Sequence, residues 1–268
     1  MYEFETPDPI EVVLEIAAGE VRIVAELRGD TQVRVNPSDL TSEDDVTAAG
    51  LTEVHFFDGH LKIKTDRRHA WAPRVGSVEV EIAVPEGSGL RADLAAGGVR
   101  AQGRLGETRV QISHGEIQLG RIGRARLETG SGEIVVGFVD GDALVKTPSG
   151  DVHLGEVTGN LVVSTAHGEI VVDRAHANVE AKTAHGGIRV GEVAGGVVDL
   201  VSASGEIDVG VKEGIVAKLG LGSTYGSVRN LLEAGPPPEP ADDSVDIRAS
   251  ATHGNVVVRR SILDHLRK

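Results

Sequence analysis

The sequence contains no cysteine, and aromatic residues make up only 3% of its 268 positions. Without cysteine there is neither a disulfide framework nor a thiolate metal site. Because Phe, Trp and Tyr supply much of the buried area in most globular proteins, the core here must be filled by Val, Ile, Leu and Ala. This composition favours a narrow interior of stacked aliphatic side chains.

Basic residues are few: 27 Lys and Arg stand against 41 Asp and Glu, for a net charge of −14. An acidic surface repels phosphate backbones and anionic lipid headgroups. No local cluster of Lys and Arg along the sequence offsets that average. The sequence therefore predicts no binding to nucleic acid or to membrane surfaces.

Long apolar runs are also absent, and no stretch approaches the roughly 18 residues that a membrane-spanning helix needs. The first seven residues, Met1–Pro7, have neither the basic nor the apolar segment of a signal peptide. We therefore expect no membrane insertion and a cytoplasmic location.

Glycine is abundant, with 35 residues. A subset recurs about every 18 residues, and such a period is the signature of a repeat architecture. Its members are Gly97, Gly115, Gly132, Gly150, Gly168, Gly186, Gly205, Gly226 and Gly254. Val or Ile stands two residues after each of them. Three residues before them, Thr or Ser recurs, at Thr129, Thr147, Thr165, Thr183, Ser202 and Ser223.

Between the glycines, apolar and polar residues alternate with the period of two that is typical of strands. One repeat is too short to bury its own apolar face, so equivalent strands must stack in parallel, about 4.8 Å apart. Parallel crossovers are overwhelmingly right-handed. The sequence therefore predicts an all-β fold, a right-handed parallel β-helix or solenoid of about 18-residue coils. The Thr and Ser column predicts a ladder of hydroxyl groups at an inner corner, bonded from coil to coil.

The regular repeats occupy residues 91–258 of the predicted fold. Residues 1–90 alternate less regularly and are predicted to form an N-terminal β cap and early coils of the same domain. Their predicted strands are Ile10–Ile16, Glu20–Leu27, Thr31–Val35, Glu53–Phe57, His60–Thr65 and Ser77–Val84, with excursions at Asp39–Ala49 and Asp66–Pro73. Because proline cannot continue a strand ladder, residues 231–244 are predicted to form a loop. Residues 259–268 are predicted to form a short helical or extended cap.

The run Thr165–Val172, Thr-Ala-His-Gly-Glu-Ile-Val-Val, recurs in related form at Thr129–Val136. These repeats resemble the bacterial putative-adhesin β-strand-repeat family, a domain of unknown function, from about residue 10 to residue 258. The segment Val80–Pro85 also resembles the lead-in to that family's repeats. The resemblance implies a parallel β-repeat fold, no established catalytic residues and, for some members, an association with cell-envelope stress.

Acidic residues and histidines flank the turn glycines. Directly after the glycine stand Glu116, Glu133, Asp151 and Glu169, and directly before it stand His167 and His185. Stacking would place like residues one strand spacing apart, where carboxylates repel one another unless a cation lies between them. One hypothesis is a row of weak divalent-cation sites with the two histidines as neighbouring ligands. The alternative, which we favour, is that the carboxylates point into solvent and that His, like Ser, suits the turn before glycine.

No catalytic residue and no cofactor site stand out, because each candidate has equivalents in neighbouring coils. Carbohydrate hydrolysis needs two carboxylates in a cleft, normally beside aromatic platforms, and the chain has one Trp, two Tyr and four Phe. The sequence therefore favours a non-catalytic scaffold or interaction module, linked through the family resemblance to adhesion or envelope stress. A β-helix enzyme acting on carbohydrate and a divalent-cation-dependent binding module are the alternatives.

A protein partner is expected to dock on one face of the solenoid. Outward positions on consecutive coils would form that face, and they include Gln118, Val135, His153, Val171, Arg189 and Asp208. We expect the chain to be a monomer or a weak homo-oligomer through edge or end contacts.

Overall fold

A computed structural model of the chain describes residues 1–65, 76–232 and 244–262. The chain divides into two compact units, Met1–Val136 (unit 1) and Gly137–Lys268 (unit 2). The predicted excursion Asp66–Pro73, residues 233–243 of the predicted Pro-rich loop and residues 263–268 of the predicted C-terminal cap lie outside the described residues.

Unit 1 consists of strands and one short helix in its described part. The strands are β1 (Tyr2–Glu5), β2 (Glu11–Glu26), β3 (Asp30–Pro37), β4 (Glu53–Phe57), β5 (His60–Lys64), β6 (Val78–Pro85), β7 (Gly89–Arg104), β8 (Thr108–His114), β9 (Ile117–Ile122) and β10 (Ala125–Thr129). Strand β11 (Ile134–Val139) carries the chain into unit 2. The predicted strands Ile10–Ile16 and Glu20–Leu27 are two halves of β2, which passes through Gly19 at a φ of 157°.

Helix α1 spans Glu43–Gly50, within the segment for which the sequence predicts only an excursion. The hydroxyl of Ser42 caps it by accepting a hydrogen bond from the Asp45 backbone N–H at 3.3 Å. Acidic residues in the first turn add a favourable interaction with the helix dipole. Among the described residues, no helix is long and apolar enough to cross a membrane.

The coils of unit 1 stack in an order that differs from their order along the chain. Strands β2 and β7 run in parallel register along nearly their whole lengths, and β8 and β9 follow on the far side of β7. On the other side of β2 lie β5, along its first half, and β6, along its second half. Strand β2 is therefore an internal coil. Antiparallel pairs β4–β5, β3–β6 and β1–β3 extend the sheet beyond it.

Unit 2 contains two sets of parallel strands that alternate along the chain. They are β12 (Ala143–Ser149), β13 (Val152–Val157), β14 (Leu161–His167), β15 (Ile170–Ala175), β16 (Val179–His185), β17 (Ile188–Val193), β18 (Gly196–Ser204), β19 (Ile207–Val211), β20 (Val216–Tyr225), β21 (Val228–Asn230), β22 (Ser244–His253) and β23 (Val256–Arg260). Each even-numbered strand from β12 to β16 pairs in register with the next even-numbered strand. The odd-numbered strands from β13 to β17 likewise pair with the next odd-numbered strand.

The last two coils of unit 2 are interchanged relative to the sequence. The coil of Gly226 does not lie next to the coil of Gly205, although it follows that coil in the sequence. Strand β18 pairs with β22 and β19 pairs with β23, while β20 and β21 lie on the far side of β22 and β23. The repeated apolar and glycine columns do not determine this order, because they are compatible with either arrangement of the last two coils.

Alternation of buried and exposed residues along each strand builds the core. Val, Ile, Leu and Ala fill it as predicted, and the largest side chains that are fully buried are Leu and Ile. Residues such as Ile170, Val172, Ile188 and Val190 are shielded from solvent, while the residues between them point outward. The predicted all-β parallel β-solenoid is therefore confirmed, whereas its right-handed sense stays a prediction.

The buried Thr and Ser column bonds from coil to coil, but not in the predicted hydroxyl-to-hydroxyl ladder. Five of the six hydroxyls donate to the carbonyl oxygen of a turn glycine in the adjacent coil, whereas the buried Thr147 hydroxyl has no hydrogen-bond partner among the described residues. The pairs are Thr129 to Gly115 at 3.1 Å, Thr165 to Gly150 at 3.3 Å, Thr183 to Gly168 at 3.3 Å, Ser202 to Gly186 at 3.0 Å and Ser223 to Gly254 at 2.7 Å. The last pair again places the coil of Ser223 beside that of Gly254.

Candidate functional site

The outer corner of unit 1 carries two of the predicted metal ligands, Glu116 and Glu133, which are both exposed. Glu116 already has a cationic neighbour, because its Oε2 lies 3.4 Å from Nη2 of Arg100. The same guanidinium reaches Glu20, with 3.7 Å between Nη1 and Oε2. Glu116 therefore contacts an arginine that it shares with Glu20.

The outer corner of unit 2 carries the other predicted acids, Asp151 and Glu169. Asp151 accepts a hydrogen bond from the Glu169 backbone N–H at 2.7 Å, which ties one coil to the next. The Glu169 carboxylate lies 3.6 Å from Nη2 of Arg189. Each acid is thus engaged with a protein donor.

Histidines of the same corner form a stack. The rings of His167 and His185 lie in register on β14 and β16, with centroids 5.1 Å apart and planes inclined by 22°. A second stack joins Tyr225 and His253, at 4.8 Å and 19°. This second pair was not identified from the sequence, although both residues directly precede a turn glycine, Gly226 or Gly254, and that shared position could have indicated their contact.

The described residues contain no group of three or more His, Asp or Glu side chains placed to hold a metal ion. The metal sites proposed for His167, His185, Glu169, Asp151, Glu133 and Glu116 stay a prediction. In the structure, the corner residues are connected by hydrogen bonds, ion pairs and the stacking of two histidine rings.

We expect calcium titration of the whole chain to give no saturable binding heat up to millimolar concentration. Calcium needs several oxygen ligands around one point, and Glu116, Asp151 and Glu169 instead face protein donors. Isothermal titration calorimetry checks this, with Glu169→Gln as the matched variant. A saturable site that Glu169→Gln removes would contradict the expectation and support the cation hypothesis.

Four residues predicted to share an outward face do lie in register in unit 2. His153, Val171, Arg189 and Asp208 stand on β13, β15, β17 and β19, and Val257 on β23 continues the row. We call these five residues the lateral row. The other two predicted positions, Gln118 and Val135, belong to unit 1, where Gln118 pairs with Arg100 on β7.

Side-chain contacts within the chain engage the polar members of the lateral row. His153 Nε2 lies 3.3 Å from Asp173, and Asp208 Oδ1 lies 3.0 Å from Nε of Arg259. Arg189 pairs with Glu169 of the corner. The two valines, both partly exposed, remain as the apolar positions of an otherwise charged face.

Sequence reasoning missed a basic row on unit 1. Arg91, Arg109 and Arg126 stand directly opposite one another on β7, β8 and β10. No local cluster of Lys and Arg occurs along the sequence, and this row instead joins arginines from different coils. The residues lie about one repeat apart in the sequence, so comparing equivalent positions between repeats, rather than searching for a local run, would have found them.

Sequence comparison decides the family of this chain. The profile of the Toastrack DUF4097 family matches residues 11–259. The chain belongs to the Toastrack DUF4097 family. This match confirms the family resemblance seen in the repeats, and the Toastrack region includes both the corner residues and the lateral row. A search of curated proteins found no match.

Several solved structures align with this Toastrack chain over most of its length at low identity. A "putative cell adhesion protein" from Clostridium sporogenes is 10% identical, with a TM-score of 0.28, over 97% of this chain and 98% of its own. A "putative lipid binding protein" from Parabacteroides distasonis is 12% identical, with a TM-score of 0.44, over 96% and 95%. A "putative adhesin" from the same organism is 10% identical, with a TM-score of 0.38, over 96% and 95%.

Proposed function

We propose that this chain is a non-catalytic binding module whose lateral row on unit 2 docks a protein partner. The observation that carries the proposal is the exact-register alignment of outward side chains on five neighbouring strands. At about 4.8 Å per strand, the row spans roughly 19 Å, comparable with the width of a small protein interface. The adhesion and envelope-stress roles implied by the family resemblance belong to the same proposal.

The chemistry of the row supports a protein partner. Arg189 and Asp208 already have ion-pair partners within the chain, and His153 contacts Asp173, so docking does not require an isolated charge to lose its water. Val171 and Val257, which are both partly exposed, supply the apolar contacts of the row. Backbone hydrogen bonds to both neighbouring strands hold the central positions, which lowers the entropy lost on binding.

We expect Val171→Glu to reduce recovery of the partner at least about tenfold, because a carboxylate in the middle of an interface loses its water without gaining a partner. The matched control is Val162→Glu. Val162 is an exposed valine on β14, in the other set of strands of unit 2. The measurement is quantitative mass spectrometry of proteins that co-purify with the tagged chain from the source organism.

Circular dichroism should show both variants to be folded, since each substitution is at an outward position. A protein that the native chain and Val162→Glu recover and Val171→Glu loses would support the lateral row as the docking surface. Equal recovery by the two variants, or a native chain that is strictly monomeric and recovers no specific protein, would count against it.

A further inference from the structure

The basic row of unit 1, Arg91, Arg109 and Arg126, is an unusual concentration of charge on a chain with a net charge of −14. The three residues occupy equivalent positions on adjacent parallel strands, about 4.8 Å apart. Beyond Arg91 the row continues through Val13 on β2 to Lys62 on β5. All of these residues belong to unit 1.

The two ends of this row are neutralised within the chain. Arg126 Nη2 lies 2.8 Å from Oε1 of Glu128. Lys62 Nζ lies 2.8 Å from Oε1 of Glu15, and this hydrogen bond lowers the pKa of the Glu15 carboxyl below its ordinary value. Row members at both ends therefore already have counter-charges.

The two arginines in the middle of the row differ from its ends in having no counter-charge among the described residues. Arg91 and Arg109 are exposed neighbours, and neither forms an ion pair or side-chain hydrogen bond with another residue in the described ranges 1–65, 76–232 and 244–262. Two adjacent guanidinium groups repel each other, and an anion between them relieves the repulsion. Guanidinium groups are also well suited to bind carboxylates in a bidentate manner.

A cavity of about 400 Å³ lies beside these two arginines. Val13 and the buried Leu90 contribute its apolar lining, and Glu11, Glu107 and His60 contribute further polar groups. Its volume is within the range of sites that hold small ligands. The cavity thus offers two cations and two carboxylates to the same occupant.

Gly89 makes room for one of those carboxylates. It stands opposite Glu11 in the β2–β7 register, and a Cβ at position 89 would lie 2.1 Å from Oε2 of Glu11. The Glu11 carboxylate therefore occupies the space next to Gly89 that a larger side chain at this position would fill. Its side chain and that of Glu107 have no hydrogen-bond donor among the described residues.

These groups define the chemistry of the occupant. It must bring negative charge for Arg91 and Arg109, and it must bring hydrogen-bond donors for Glu11 and Glu107, because ionised carboxylates only accept. A sugar that carries carboxylate groups supplies both, since its hydroxyls donate. A nucleic-acid backbone offers mainly acceptors, and the side chains of an acidic peptide offer acceptors only, so neither matches Glu11 and Glu107 as a row of sugar hydroxyls does.

We propose that unit 1 binds an acidic saccharide at this cavity, with sugar carboxylates on Arg91 and Arg109 and sugar hydroxyls on Glu11 and Glu107. This proposal does not depend on the lateral row of unit 2. It adds a second ligand class to the chain and requires no chemical step.

Isothermal titration calorimetry of the full chain with short oligogalacturonate, oligoglucuronate and oligomannuronate tests the proposal at low ionic strength, where exposed charges are least screened. We expect at least one of them to bind, and Arg91→Gln and Arg109→Gln each to weaken that binding about tenfold. The control is Arg34→Gln, since Arg34 is an exposed arginine of unit 1 already paired with Glu81 at 3.2 Å. It should leave the affinity unchanged.

Glu107→Ala separates sugar recognition from simple charge attraction. Removing this carboxylate makes the face more positive, so attraction to any polyanion would strengthen, whereas loss of a hydroxyl acceptor weakens binding of the sugar. Gly89→Ala should act in the same direction by displacing the flexible Glu11 carboxylate, and the chain should stay folded.

Three results would overturn the proposal. The first is that none of the three acidic oligosaccharides binds, or that Arg91→Gln and Arg109→Gln bind like the native chain. The second is that polyglutamate binds as tightly as the oligosaccharide. The third is that Glu107→Ala binds the oligosaccharide more tightly than the native chain does.

Discussion

Gly186→Ala should lower the thermal midpoint of the chain by about 6 to 12 °C, given about 2 to 4 °C for each kcal/mol in a protein of this size. Gly186 has a φ of 144°, which is unfavourable for a residue with a side chain, at a cost of about 1 to 3 kcal/mol. The added Cβ would also lie 1.9 Å from the Gly168 carbonyl oxygen. The total cost should therefore be at least about 3 kcal/mol.

The clash at Gly186 has no easy relief, because backbone hydrogen bonds fix the spacing of the coils. Gly168 N–H donates to the His185 carbonyl at 2.9 Å, and Gly186 N–H donates to the Ser204 carbonyl at 2.8 Å. The Gly168 carbonyl also accepts the Thr183 hydroxyl. Moving the coil of Gly186 away from the coil of Gly168 would weaken the bonds of Gly168 with His185 and Thr183 together, and the bond to Ser204 holds the coil of Gly186 from its other side.

Gly222→Ala is the matched control. Gly222 lies in β20, and a Cβ there would meet no heavy atom within 4 Å. We expect the thermal midpoint of this variant to change by less than about 2 °C, because the lower conformational entropy of its unfolded chain offsets any small loss of stability. Thermal melts followed by circular dichroism make the comparison, and equal midpoints for the two variants would refute the close coil contact.

Ile247→Ala should cost about 2 to 5 kcal/mol, the usual range for a large-to-small change in a core. Ile247 is fully buried on β22, with Val198 of β18 on one side and Leu219 of β20 on the other. Leu219→Ala should cost only about 1 kcal/mol, because Leu219 keeps partial exposure and, in the described part of unit 2, β20 pairs with β22 alone.

This pair of variants tests the interchange of the last two coils directly. If the coils stacked in chain order, Leu219 would occupy the internal position and Ile247 the terminal one. The ranking of the two substitutions would then reverse. Chemical denaturation of both variants, with the unfolding free energy as the readout, distinguishes the two orders.

The repeat columns could be predicted from the sequence because they depend on single residue types. Only glycine fits the turn at Gly168 or Gly186, and only a small hydroxyl side chain reaches the neighbouring glycine carbonyl as Thr183 does. Such constraints recur in each coil and are visible without a structure. The parallel solenoid follows from them.

The order of the coils and the pairing of charges could not be predicted in the same way. Ile247 and Leu219 satisfy the same column, so local residue type does not distinguish their neighbours. The contact of Arg100 with Glu116 depends on side-chain reach between coils. The basic row was accessible in principle, since Arg91 and Arg109 occupy equivalent repeat positions, but its meaning depends on which arginines lack a carboxylate partner.

The internal positions of β2 and of β22–β23 also bear on how such a chain changes its length during evolution. In unit 1 the first long strand lies between later ones, and in unit 2 the last described strands lie between earlier ones. Duplicating a repeat at either terminus would disrupt these interleaved layers. Repeats can be gained or lost without rearrangement only where coils follow one another in chain order, as from β12 to β19. We therefore expect Toastrack relatives of different length to differ in the number of their middle coils.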